Sequence, residues 1–196
     1  MAPINDRRSI RKFLDKEIPL ELIKEILEAG RMAPSAKNRQ PWKYIVFGNK
    51  QKQELLDCME LGIKREEHTK SLLPKSASGI PDAKNTLRIM GEAPIVILVL
   101  NANGKSPFLT IDPDERITEI CDTLSIGASI ENILLRAEEL ELGTLWIANT
   151  CFAYSELVEY LSTDKQLVGA IAVGYANENP YPRPRKALEE IVEMRV

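Results

Sequence analysis

With 196 residues, 44% of them apolar and 28% charged, and a formal net charge of -3, the chain suits one water-soluble domain with its own core. Nothing in that balance points to nucleic acid, and the longest apolar run, APIVILVLNA, is about half the roughly 20 residues of a membrane-spanning helix. The opening MAPINDRRSIRKF has no apolar run before its charges, so a secretory signal is not expected there.

From Leu20 to Arg31, apolar side chains at Leu22, Ile23, Ile26 and Leu27 line one face of a helix, with Pro19 at its start. The stretch APSAKNRQPW follows, Ala33 to Trp42, far more polar than a plain turn needs. Tyr44 to Phe47 reads as a strand, Gln51 to Lys64 as a helix, and Ser71 to Asp82 as a loop rich in Ser, Pro and Gly that suits a lid. Ala83 to Met90 is expected as a short helix, Ile95 to Leu100 as a buried strand, and Asn101 to Pro113 as a loop. Between Glu115 and Leu142 the apolar positions occupy more than one helical face, which fits a helix central to the core or one shared with a second subunit. Gly143 is expected to cap it, TLWIA to form a strand, Tyr154 to Leu161 a helix, and LVGAIAVGYA an interior strand. Pro180, Pro182 and Pro184 then favour an extended arm.

Helices and strands interleave, so a sheet covered on both faces is the natural packing. No strand is followed by GxGxxG or GxxxxGK[ST], so the class is read as α+β rather than doubly wound. One domain is expected over 1–196.

Three scattered cysteines, Cys58, Cys121 and Cys151, offer neither a disulfide framework nor a zinc site, which suits a reducing cytoplasm. With His68 the single histidine, triads and histidine-rich metal sites are largely excluded, and no metal is expected. Any enzymatic chemistry would rest on a cofactor. In RRSIRKF, Arg7, Arg8 and Arg11 around Ser9 suit a phosphate, because a guanidinium donates paired hydrogen bonds to its oxygens; a solvated basic terminus suits the same residues. The tail repeats the pattern with Arg183 and Arg185. Chain termini often lie close together, so both clusters could share one anion.

RRSIR, APSAKNRQPW, the long apolar helix running into GTLWIAN, and the basic PRPRK tail together resemble the nitroreductase family of flavin mononucleotide (FMN) enzymes, in the same order through essentially the whole chain. The resemblance implies a three-layer α/β/α fold with a mixed, mainly antiparallel sheet and an extended C-terminal arm. It implies FMN as cofactor and NAD(P)H as hydride donor. An electron-poor nitroaromatic or quinone would be the acceptor in ping-pong turnover, and the protein a homodimer with flavin at the subunit interface. By the same resemblance Arg7, Arg8, Ser9, Arg11, Arg183 and Arg185 hold the flavin phosphate and its surroundings. Pro34, Ser35, Ala36, Asn38 and Gln40 reach the flavin held by the other subunit, and Asn85 and Arg88 sit beside the pyrimidine edge. Trp146 and Ile147 pack on the ring, and the backbone N–H groups of Ala148 and Asn149 face flavin N5, with no catalytic side chain. Where Ala148 stands, several family members carry glycine or an acidic residue. A flavin carrier or sensor with little turnover, and dehalogenating or flavin-fragmenting specialists, are the alternative readings.

Overall fold

The computed structural model describes residues 3–68 and 71–196. In chain order the elements are α1 (Pro3–Asp6), α2 (Leu20–Arg31), β1 (Trp42–Gly48), α3 (Asn49–Glu67), α4 (Ile80–Glu92), β2 (Ile95–Asn101), α5 (Pro113–Glu139), β3 (Gly143–Ile147), α6 (Tyr154–Tyr160) and β4 (Gln166–Gly174). The strands form one antiparallel sheet in the order β1-β2-β4-β3, and the only parallel pairing among the described residues is the isolated bridge between Ser9 and Thr144.

Strands β2 and β4 lie inside the sheet and have both faces covered, which is why their sequences are apolar throughout rather than alternating. Successive side chains point to opposite faces. Val96, Leu98 and Leu100 therefore enter a core with Leu55, Met59 and Leu157 of the α3, α4 and α6 layer. Ile97 and Val99 enter a second core with Ile23, Ile26, Ile130 and Ile133 of the α2 and α5 layer. The two cores and the sheet make the three-layer α+β arrangement that the interleaved elements imply.

Helix α5 settles the question its broad apolar arc raises. Asp122, Ser125, Ile126, Ser129, Ile130, Ile133, Leu134 and Ala137 form its buried face. Ile117, Ile120 and Leu124, on the first half, stand 64%, 51% and 70% exposed. The helix starts cleanly because Pro113 occupies its first turn and the Asp112 carboxylate accepts a hydrogen bond from the Glu115 N–H at 2.9 Å.

Two local expectations need correction. The Ser71 to Asp82 stretch is not a plain loop, since Pro74–Gly79 is a 3-10 turn and α4 already begins at Ile80. Proline at a helix start replaces an N–H that would have no partner, so Pro81 opens the helix instead of breaking it. Gly143 does not cap α5: Glu141 takes the left-handed turn at φ 59°, and Gly143 begins β3. Its value is space, because a Cβ there would lie 2.8 Å from Ile10 Cγ1. The short helix α1 was not anticipated.

Candidate functional site

The two basic clusters meet. After α1, Ser9 bridges to Thr144 of β3, and the Ile10 N–H donates to the Thr144 carbonyl at 2.9 Å. The chain then crosses the sheet end, where Leu14 donates to the Tyr175 carbonyl and Asn177 to the Lys12 carbonyl, each at 2.9 Å. This pairing leads the tail directly back along the N-terminal segment. Arg7, Arg8, Ser9 and Arg11 on one wall, and Tyr181, Pro182, Arg183 and Arg185 on the other, enclose a cleft of about 340 Å³.

Its electrostatics are lopsided. Among the described residues, Arg7 alone of the five cleft arginines pairs with a carboxylate, that of Glu131 on α5 at 3.4 Å. Arg8 Nη1 donates to the carbonyls of Asn5, Arg7 and Asp6 at 2.7, 2.9 and 3.1 Å. Arg11 Nη1 donates to the Ser9 carbonyl at 3.1 Å, and Arg185 Nη1 to the carbonyls of Arg183 and Pro184 at 3.3 Å. Carbonyls orient a guanidinium without cancelling its charge, so the cleft keeps a concentrated positive field with donors to spare. Burial and then Asp6 push the nearby Glu138 carboxyl above its ordinary range, against the pull of Arg7 and Arg8.

The loop after α2 is built differently. Its base is set where α2 crosses α5 so closely that a Cβ on Gly30 would lie 2.7 Å from Ile133 Cγ1. There Ser129 Oγ donates to the Gly30 carbonyl at 2.8 Å and Asn132 Nδ2 to that of Ala29 at 3.1 Å. Beyond this platform Lys37, Asn38 and Gln40 all have left-handed backbones, at φ 53°, 53° and 48°. Each such residue is strained unless its surroundings hold it. The Gln40 N–H donates to Ser35 Oγ at 3.0 Å, the Ala36 N–H to Ser125 Oγ at 3.2 Å, and Arg39 Nε to Asp122 Oδ1 at 2.7 Å. Asp122 is buried, and its other oxygen accepts from Asn103 Nδ2 at 3.3 Å. Arg39 Nη2 also lies 2.7 Å from Asp122 Oδ1 but is not aligned for a hydrogen bond. Pro34, Ser35, Ala36, Asn38 and Gln40 do not line the arginine cleft of their own protomer.

The remaining candidates lie at the end of β3 and on α4. Trp146 is 45% exposed, whereas Ile147 is buried in the core, so its side chain is not free to pack on a ring as the resemblance implies. The strand's alternation decides this, since neighbouring side chains point to opposite faces. Ala148 is exposed, and Asn149 Nδ2 donates to Asp82 Oδ2 at 2.7 Å and Thr86 Oγ1 at 2.9 Å, fastening the end of β3 to α4. On the same helix Arg88 Nη2 donates to Asn85 Oδ1 at 2.9 Å, and its Nη1 pairs with Glu92, so part of its charge is already compensated.

The model of the Nitroreductase family matches residues 4–175. The chain belongs to the nitroreductase family. A relative from Methanothermobacter thermautotrophicus, named for NADH dehydrogenase or NAD(P)H nitroreductase activity, is 29% identical over 191 residues, covering 93% of this chain and 80% of its own. The chloronitrobenzene nitroreductase of Comamonas testosteroni is 27% identical, covering 95% and 92%. A nitroreductase-like protein from Desulfovibrio desulfuricans, solved in complex with FMN, is 26% identical with a TM-score of 0.71, covering 99% and 95%. Arg39, one of the polar groups of the APSAKNRQPW loop, and Asp122 stand outside the residues that the resemblance assigns to the flavin. The available signal for Asp122 was a carboxylate in register with Ile126, Ile130 and Ile133 on the buried face of α5.

Proposed function

We propose that this protein is an FMN-dependent NAD(P)H oxidoreductase of nitroreductase type, reducing an electron-poor nitroaromatic or quinone. The observation that carries the reading is the arginine cleft assembled from both chain ends, with four of its five guanidiniums lacking a carboxylate partner among the described residues. That donor set fits a phosphate dianion, which accepts parallel hydrogen bonds from guanidinium edges. Family membership and the FMN in the Desulfovibrio structure point the same way.

When bound, FMN supplies hydride acceptance from NAD(P)H at N5 and delivery to the acceptor in a second half-reaction, a ping-pong sequence. Arg7, Arg8, Ser9, Arg11, Arg183 and Arg185 would take the phosphate. Asn85 and Arg88 would face the pyrimidine edge, where a fixed positive charge favours the reduced ring. Trp146 would cover the ring through its exposed face. Ala148 and Asn149 would present backbone N–H groups, and Ile147 contributes through its backbone alone.

The site is completed by a second copy of the chain. Pro34, Ser35, Ala36, Asn38 and Gln40 would reach across from the partner, held ready by the Arg39–Asp122 pair. Two exposed apolar surfaces support a homodimer: Ile117, Ile120 and Leu124 on α5, and the arm residues Leu188, Ile191 and Met194, at 62%, 64% and 76% exposure.

Purified protein is expected to show flavin absorbance, to elute as a dimer, and to oxidise NADH or NADPH faster when a nitroaromatic or quinone is added. Flavin that copurifies but is not reduced by either nucleotide would instead make the protein a carrier; a preparation that neither contains nor binds flavin rejects the cofactor assignment.

A further inference from the structure

The cleft depends on two chain ends being held in one register, by backbone hydrogen bonds and by two side chains outside it. Phe13 bridges to Ala176 and packs over Gly174, where a Cβ would lie 2.5 Å from Phe13 Cδ1. That contact seats the N-terminal segment. Glu178 joins the two ends nearer the cleft: its Oε1 accepts from the backbone N–H of Arg11 and from that of Lys12, the latter at 3.2 Å. The carboxylate thus replaces a strand carbonyl at the point where the tail leaves the sheet. Arg11 is its direct neighbour on one wall, and Pro180, two residues on, opens the other.

We propose that Glu178 is a positioning residue, a latch that fixes the spacing between the two arginine clusters and so sets the cleft's affinity for a phosphate. The inference rests on the flavin-phosphate reading of the cleft. It makes an unusual prediction of sign. A carboxylate beside an anion site repels the anion, so on charge alone its removal should strengthen binding. A latch gives the reverse.

The test crosses charge with reach. Glu178→Gln removes the charge but keeps an oxygen that can accept both N–H groups; Glu178→Asp keeps the charge but is shorter by one methylene. Dissociation constants for FMN and for riboflavin, which lacks the phosphate, are measured by flavin fluorescence on the full chain freed of flavin. Glu178→Ala and Glu178→Asp are expected to bind FMN about tenfold more weakly, the loss of the paired hydrogen bonds that need this side chain's reach, with riboflavin affinity unchanged and Glu178→Gln near wild type. General destabilisation would weaken both flavins alike. FMN bound as tightly or more tightly by Glu178→Ala, or equal weakening in Glu178→Gln, overturns the latch.

Amide hydrogen exchange in the flavin-free protein gives a readout independent of the cofactor. Glu178→Ala should accelerate exchange at Arg11 and Lys12 at least about tenfold, and Glu178→Gln should not. Unchanged exchange in Glu178→Ala overturns the latch whatever the flavin result. Wild-type protein binding FMN no better than riboflavin, with the exchange difference intact, would instead reject the phosphate reading and leave the latch standing.

Discussion

The arginine cleft and the loop from Pro34 to Gln40 are opposite solutions to holding polar groups ready. In the cleft, guanidiniums from two chain ends stand near water with their charge mostly uncompensated, and the backbone around them is relaxed. In the loop the guanidinium of Arg39 is spent on a buried carboxylate, and three left-handed residues are held against their preference. The comparison separates binding from shape. Uncompensated charge costs the fold little and has most to gain from a ligand, whereas a buried pair contributes no net ligand affinity of its own but dictates a conformation.

Substitutions should therefore behave differently in the two places. The double variant Arg7→Ala/Arg185→Ala is expected to lose about 3–6 kcal/mol of FMN affinity, from two charge-assisted contacts, with thermal unfolding nearly unchanged. The loss should shrink as salt is raised, because exposed charges are screened. Full flavin retention by this variant would remove the cleft from the site. Asp122→Ala should do the opposite first: it removes the partner of Arg39, whose side chain is 26% exposed, and the fold is expected to lose about 1.5–3 kcal/mol in denaturant unfolding, the worth of hydrogen bonds to a charged group. An unfolding midpoint equal to wild type would mean that the loop does not depend on the pair.

The segment after α3 gives a third, smaller test. Glu66 at the end of α3 accepts from Ser71 Oγ at 2.6 Å and from the N–H groups of Leu72 and Leu73 at 3.0 and 3.1 Å, pinning the start of that segment. Burial alone raises its pKa, but hydrogen bonds from Ser71, Leu72, Arg65 and Leu73 outweigh it and hold the carboxyl below its usual value. A lowered folded pKa means stability fully present above the unfolded value of about 4.3 and lost as pH falls through the folded one. Wild-type stability should thus fall in that acid window, and Glu66→Gln should flatten the fall; identical acid profiles would show that this carboxylate is not the titrating clasp.

Much of the architecture was legible because it is local. The helical period across Leu20–Arg31 returns as α2 with the same limits, and the uninterrupted apolar run from Ile95 returns as an interior strand. Proline misled where it opened helices rather than loops, at Pro74 and Pro81, because residue type alone does not reveal which end of an element it occupies. A motif likewise names neighbours without their direction, and strand alternation assigns Trp146 and Ile147 to opposite faces.

Composition and order by themselves determined a two-sided sheet, a basic cluster at each end, and family membership, since each depends on short-range pattern. Tertiary structure alone decided that those clusters line one cleft, that Glu178 ties their register, and that Asp122 lies under Arg39. Such hydrogen bonds join residues up to 167 positions apart, and only the packing of helices on the sheet sets those distances.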